Sequence, residues 1–292
     1  MRENPLLMAA LLSSLACWSL HCGIATPAQT GSSNDDEVNE HGIGSFDEGQ
    51  TTDDAVARRP SSAEDIAARK MILVAEGEFV MGWATGDSDE QPSHIVYLDG
   101  FYLDVFEVTV EQYKQCVRAG GCEEPIYAPG CNWDGFEGEN HPINCMNRRN
   151  ALAYCSWVGL RLPTEAEWEK AARGTDGRTY PWGYELVGDE ANFRGSSIMA
   201  TEPVGNNPSG VSPYGMHDMG GNVWEWVSDW YSADYYQHSP RERPTGPSSG
   251  DYGVLRGGSW WFDELALPSA NRISYHPLLT DVDIGFRCAR DL

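Results

Sequence analysis

Three helix-start signals fall in one part of this chain, and none of comparable length follows them. Thr109 with Gln112 three residues on forms a capping box ahead of VEQYKQCVRAGG, which two glycines close. Asn147 can cap NRRNALAYCSWVG, ending at Gly159, and Thr164 with Glu167 is a second capping box in LPTEAEWEKAARG, ending at Gly174. Beyond Gly174 the sequence carries turns, short strands and aromatic clusters only. That asymmetry predicts an α+β fold with two or three helices and a great deal of structured coil. Thirty-one glycines, eleven tryptophans and thirteen tyrosines suit such a fold, because aromatic side chains fill space that little regular structure would cover. Upstream, MILVAEGEFVMG predicts a strand pair turning at Glu76-Gly77, and HIVYLDGFYLDVFEVT continues in the same style.

The N-terminal segment divides in two. MRENPLLMAALLSSLACWSLHCG has one arginine, an apolar run and then two cysteines, the order of a secretory leader, and is too short to span a membrane as an ordinary helix. A cysteine closing such a run points to lipoprotein processing at Cys22 or Cys17, with plain secretion as the alternative. Residues 1–22 are therefore expected to be a signal peptide, and residues 23–70 a disordered acidic linker with almost no large apolar side chain. The folded domain is expected over 71–292. The formal charge of −24 excludes nucleic acid as a partner, since phosphate binding needs clustered Lys and Arg. Contact with a membrane is expected only through an N-terminal lipid, in a bacterial periplasm or on a cell surface.

Six cysteines follow the leader, at 116, 122, 131, 145, 155 and 288, an even count in a chain read as exported, and disulfides are the expectation. Cys116 with Cys122 permits a local clip, and Cys131 with Cys145 would close a loop rich in Gly, Asn and Asp. Cys155 and Cys288 would then remain, closing a loop that the chain-entropy model values at roughly 4 to 5 kcal/mol. Zinc is the weaker reading, because no pair is a C-x-x-C and the seven histidines lack ligand spacing.

Two further runs carry chemistry. In YGMHDMGGNVWEWVSDWY, Asp218 and Glu225 bracket a turn that could aim their carboxylates and the carbonyls of Gly221 and Val223 at one point, a hard-oxygen set suited to calcium. An aromatic-packed turn with a solvated acid is the plainer reading. RGGSWWFDELALPSANR, residues 256–272, has the look of a site floor without a nucleophile or ligand set. Trp260 and Trp261 should point to opposite faces of an extended segment, as should Asp263 and Glu264. One tryptophan then packs inward while the other can stack on a ligand. His276 is a candidate pocket base and, equally, a surface histidine.

Taken in order, GEFVMG, FEVTVEQY, AYCSWVGLRLPTEAEWEKAARG, YPWG, GMHDMGGNVWEW, LRGGSW and IGFRCAR closely resemble the signature blocks of the formylglycine-generating enzyme family, or sulfatase-modifying-factor domain, from about Met71 onward. The resemblance implies a C-type-lectin-like variant fold. It implies a long-range disulfide between Cys155 and Cys288, while a second family disulfide has no counterpart, its first cysteine falling at Ala172. It implies a calcium site at Asp218, Gly221, Val223 and Glu225, and a weaker second one at Asn192, Phe193, Ser196 and Ile198. Active members hold Cu(I) with two cysteines and oxidise a substrate cysteine, and those two positions are Phe262 and Leu267 here, which excludes thiolate ligation of copper. The pocket residues that remain are Ser259 and Trp224, with Trp260 and Asp263 as further candidates. The expectation is a non-catalytic, calcium-stabilised module that binds a peptide or glycan. The alternative is a divergent enzyme with new chemistry in the old pocket, its acids serving as general acid and base.

Overall fold

The computed structural model describes residues 69–135, 138–196 and 198–292. The leader with Cys17 and Cys22, and the acidic segment up to residue 68, lie outside the described residues. Arg69 and Lys70, at the end of that segment, are tied to the domain: the Arg69 guanidinium meets Asp104, and the Lys70 carbonyl accepts from the Val105 N–H.

All three predicted helices form, each with a reciprocal capping box. α1 spans Val110–Arg118 behind Thr109, α2 Arg148–Trp157 behind Asn147, and α3 Glu165–Arg173 behind Thr164. Asn150 closes the box at α2, reaching back to the Asn147 N–H as Gln112 and Glu167 do at the others. Gly174 ends α3 at φ 68°, where a side chain would also press on Pro213.

Among the described residues, nine short strands make three small sheets. β1 (Met71–Val74), β4 (Phe101–Asp104) and β9 (Ala289–Asp291) form one antiparallel sheet in the order β1-β4-β9. β2 (Gly77–Met81) pairs with β3 (His94–Leu98). β7 (Arg272–Tyr275), β6 (Gly253–Arg256), β5 (Trp224–Trp230) and β8 (Ile284–Gly285) form the third, with β8 parallel to β5. The predicted hairpin over Met71–Gly82 is therefore corrected: β1 and β2 follow one another but join different sheets. The Lys170 ammonium, on α3, donates to the carbonyls of Ala75 and Gly77 at 2.8 and 2.9 Å, and so ties the segment between β1 and β2 to the helix.

β5 runs between the two main apolar clusters. Trp224 and Trp226 pack with α1, α2, Leu255 and Phe286, whereas Val227 joins Trp168 of α3 and the inward residues of β1 to β4. Trp168, Trp224 and Trp226 are all but fully buried. Each contributes on the order of 5 kcal/mol by apolar burial, so α3 and β5 anchor the core around which the loops are arranged.

All six cysteines of the domain are paired, Cys116 with Cys122, Cys131 with Cys145, and Cys155 with Cys288. Cys155 on α2 is thereby joined to the segment between β8 and β9.

Candidate functional site

The Arg256–Ser259 turn is where structural and site residues meet. Gly257 and Gly258 have φ values of 99° and 76°, and a Cβ on Gly258 would lie 2.7 Å from the Ala266 carbonyl oxygen, so only glycine lets β6 fold back against the following loop. Arg256 is part of the buried scaffold. Its guanidinium is fully buried and donates to Glu169 at 2.7 Å, to Glu165 at 3.4 Å and to the carbonyls of Ser269 and Ala270. Arg272 makes two further bonds to Glu165, at 2.7 and 2.9 Å. These paired charges lock α3 to β6 and β7, and half of the motif that looked like a site floor is scaffold. Breaking such a buried pair from one side costs about 3–5 kcal/mol.

Ser259 is buried, and its hydroxyl donates to Asp283 Oδ2 at 2.5 Å while accepting from the Trp261 N–H at 3.3 Å. Burial pushes the Asp283 carboxyl up to about 6, with the Ser259 hydroxyl pulling the other way. Trp224 is buried beneath Phe262, whose ring meets it edge to face at 5.6 Å. Trp260 turns inward and Trp261 outward, 46% exposed, with the Arg194 guanidinium 5.5 Å above its ring. Residues 262–267 are not extended as expected. Asp263 caps a 3-10 turn, Glu264–Ala266, by accepting from the Leu265 N–H, and this sets both acids at the surface. Leu267 is fully buried among Ala191, Phe193, Tyr180 and Trp182. The two positions that the resemblance gives to metal-binding thiolates are thus an aromatic ring over Trp224 and an aliphatic core side chain. His276 lies apart, on β7's far loop, edge-on to Tyr252.

The Asp218–Glu225 turn gathers more charge than its sequence suggests. Asp218 and Asn222 adopt φ of 57° and 63°, with Gly221 at 91°, and a Cβ at Gly221 would lie 2.5 Å from the Asn192 carbonyl oxygen. Glu225 is clamped by Arg287 at 2.6 and 2.7 Å and by the Trp168 indole N–H at 2.9 Å. Glu107, from the FEVT block, enters the same region and accepts from Asn222 and from the Val223 N–H. Burial, and then the charges of Asp218 and Glu225, raise Glu107 well above the usual carboxylate range, and burial pushes Asp218 up to about 6. Three buried carboxyl groups therefore face one guanidinium, and the crowding favours the protonated form of Glu107 unless a further cation joins them. Asp218 spends only Oδ2, on the Gly205 N–H, and Glu225 Oε1 accepts from Arg287 alone. Asp218 Oδ1 is thus left for a further ligand, whereas both Glu225 oxygens are engaged, and among the described residues no group of three or more Asp, Glu, His or Cys side chains is arranged to hold a metal ion by itself. At the second predicted set three residues are engaged with one another or with Asn222: the Ser196 hydroxyl donates to Asn192 Oδ1 and the Phe193 carbonyl, and the Asn222 N–H donates to the Asn192 carbonyl. Ile198 is 41% exposed. Arg287, Glu107 and Asp283 escaped the sequence reading, since no spacing ties them to residues more than twenty positions away.

The chain has relatives of known family. The model of the sulfatase-modifying factor enzyme 1-like domain matches residues 56–292. The chain belongs to this family. It is 33% identical to the formylglycine-generating enzyme of Streptomyces coelicolor over 81% of its own length and 94% of that protein's. It is 39% identical to the serine/threonine-protein kinase Pkn1 of Chlamydia trachomatis, covering 76% of this chain but only 38% of that protein. Among solved structures, PvdO from Pseudomonas aeruginosa superposes with a TM-score of 0.68 at 26% identity, over 76% of this chain and 94% of that one. The α+β fold expected from the family blocks is the fold found.

Proposed function

We propose that this sulfatase-modifying factor domain is an exported binding module, stabilised by calcium, that recognises a polypeptide or glycan and no longer performs the copper-dependent oxidation of its enzymatic relatives. One observation carries the reading. Among the described residues every cysteine is consumed in a disulfide, and the two positions that the resemblance gives to thiolates hold the half-exposed ring of Phe262 and the buried chain of Leu267. Neither can hold Cu(I), which takes soft sulfur ligands. Three disulfides suit an oxidising compartment, in line with export as a lipid-anchored protein through Cys22 or Cys17.

Calcium would be held by Asp218, Glu225 and the carbonyls of Gly221 and Val223, with Glu107 adding to the local charge. Its contribution is structural, neutralising buried carboxylates beside the turn that leads into β5. The recognition surface is the outward edge of the Ser259 loop, where Trp261 and Phe262 are half-exposed and Leu265 is exposed. Rigid aromatic side chains of this kind supply contact area at little entropic loss. The test is oxygen consumption by the purified protein with Cu(I) and a Cys-x-Pro-x-Arg peptide. No turnover above a metal-only blank is expected, and peptide-dependent oxygen uptake would overturn the proposal.

A further inference from the structure

A cleft of about 530 Å3 opens between the β3–β4 turn, the start of α3 and the loop at 243–245, and none of the Ser259 loop or the Asp218–Glu225 turn lines it. Its volume falls within the roughly 300–1,000 Å3 of small-molecule sites. Leu98, Phe101 and Leu162 form a buried apolar floor, and Leu152 of α2 forms a half-exposed wall. The rim carries three acids and two arginines. Arg161 is saturated, donating to both Glu167 oxygens at 2.7 Å, to Asp291 and to the Leu162 carbonyl. Arg243 is not. It makes one side-chain bond, Nη1 to Asp99 Oδ2 at 2.8 Å, and the two side chains are 65% and 58% exposed, so the pair contributes little.

Arg243 also sits at φ 48°, the left-handed region that disfavours a side chain, and is pinned there by its N–H to the Tyr97 carbonyl and by the Tyr97 N–H to Arg241. The chain thus holds a cation at the lip of an apolar cleft, against an unfavourable backbone and opposite an acid that binds it weakly. We infer that the Arg243–Asp99 pair is an internal stand-in for a ligand, and that the cleft binds a small amphiphilic organic cation, an apolar chain ending in an ammonium or guanidinium. The chain lies on Leu98, Phe101 and Leu162, and the charged end displaces Arg243 from Asp99. The rim's excess of acid and the net charge of −24 favour cations over anionic amphiphiles. This site is independent of the Ser259 loop and of the reading given for it.

Isothermal titration of the full chain with n-octylammonium, and separately with octanoate, both below micelle formation, tests the inference. Saturable octylammonium binding with Kd on the order of 1 mM or tighter is expected, with octanoate at least about tenfold weaker. Arg243→Gly relaxes the backbone and frees Asp99, so octylammonium should bind roughly two- to fivefold tighter, and Asp99→Asn should weaken it by a similar factor. Circular dichroism melting checks that both variants fold. Octanoate binding as well as octylammonium, no saturable binding, or an affinity indifferent to both substitutions overturns it.

Discussion

Burial of Asp229 makes the domain lose stability as pH rises, a loss that one substitution should remove. The carboxylate, 2% exposed on β5, accepts from the Glu165 N–H at 2.8 Å and from the Ser228 hydroxyl at 3.1 Å. Both donors favour the charged form, and the Arg148 guanidinium also acts on it. Burial outweighs them, aided by the negative charges of Glu165 and Glu167, and pushes the carboxyl from its ordinary 3.8 up to about 7. A group that holds its proton more tightly when folded adds stability that is complete below pH 3.8 and is lost as pH rises to about 7. The linkage over that window amounts to about 4 kcal/mol. Asp229→Asn keeps an acceptor for Glu165 and Ser228 but cannot ionise. Variant and wild type should therefore melt together near pH 4 and separate as pH rises. Near pH 8 the variant should melt about 8 to 16 °C higher, at about 2–4 °C per kcal/mol for a domain of this size. Paired thermal melts at half-unit pH steps measure the divergence. Parallel curves across the window would show that Asp229 is ionised in the folded protein and refute the argument.

Two further outcomes follow from the core. Removing calcium with EGTA should lower the melting midpoint by about 5–10 °C when the ion is initially near a hundred times its Kd, and Asp218→Ala should abolish that response. A midpoint untouched by chelator would contradict the assigned ligands. The Cys155→Ala, Cys288→Ala pair, opening a separation of 133 residues, should destabilise the domain by about 5 kcal/mol, against about 2 to 3 for Cys116→Ala, Cys122→Ala with a separation of six. Equal losses in denaturant unfolding would show that loop entropy does not set the difference.

What was legible in the sequence was local. Thr109 with Gln112 and Thr164 with Glu167 declare helix starts through bonds that span three residues, so both could be read directly. The strand pairing could not. β1 and β2 alternate like a hairpin, and only the buried Lys170, nearly a hundred residues away, claims the carbonyls between them. The Arg256 motif misled for the same reason: its glycines advertise a tight approach, but the partners that explain its arginine, Glu165 and Glu169, lie on a distant helix. At the cluster of buried acids, Asp218 and Glu225 were visible as a spaced pair. Glu107 and Arg287 were not, because a buried carboxylate in a strand-like block and an arginine beside a cysteine carry no mark of the charges they will face.

β8 and β9 are separated by three residues, Phe286, Arg287 and Cys288, yet they complete different sheets. Phe286 fills the larger apolar cluster, Arg287 clamps Glu225, and Cys288 reaches back to α2. A ribosome or translocation channel releases this clasp only after everything it fastens has emerged. The domain is thus obliged to remain open through most of its own production, with contacts of long sequence separation formed late, a topology that folds slowly. Oxidation of Cys155 and Cys288 is then a closing event, and any compartment that matures this protein must keep an unfinished, aromatic-rich chain soluble until that moment.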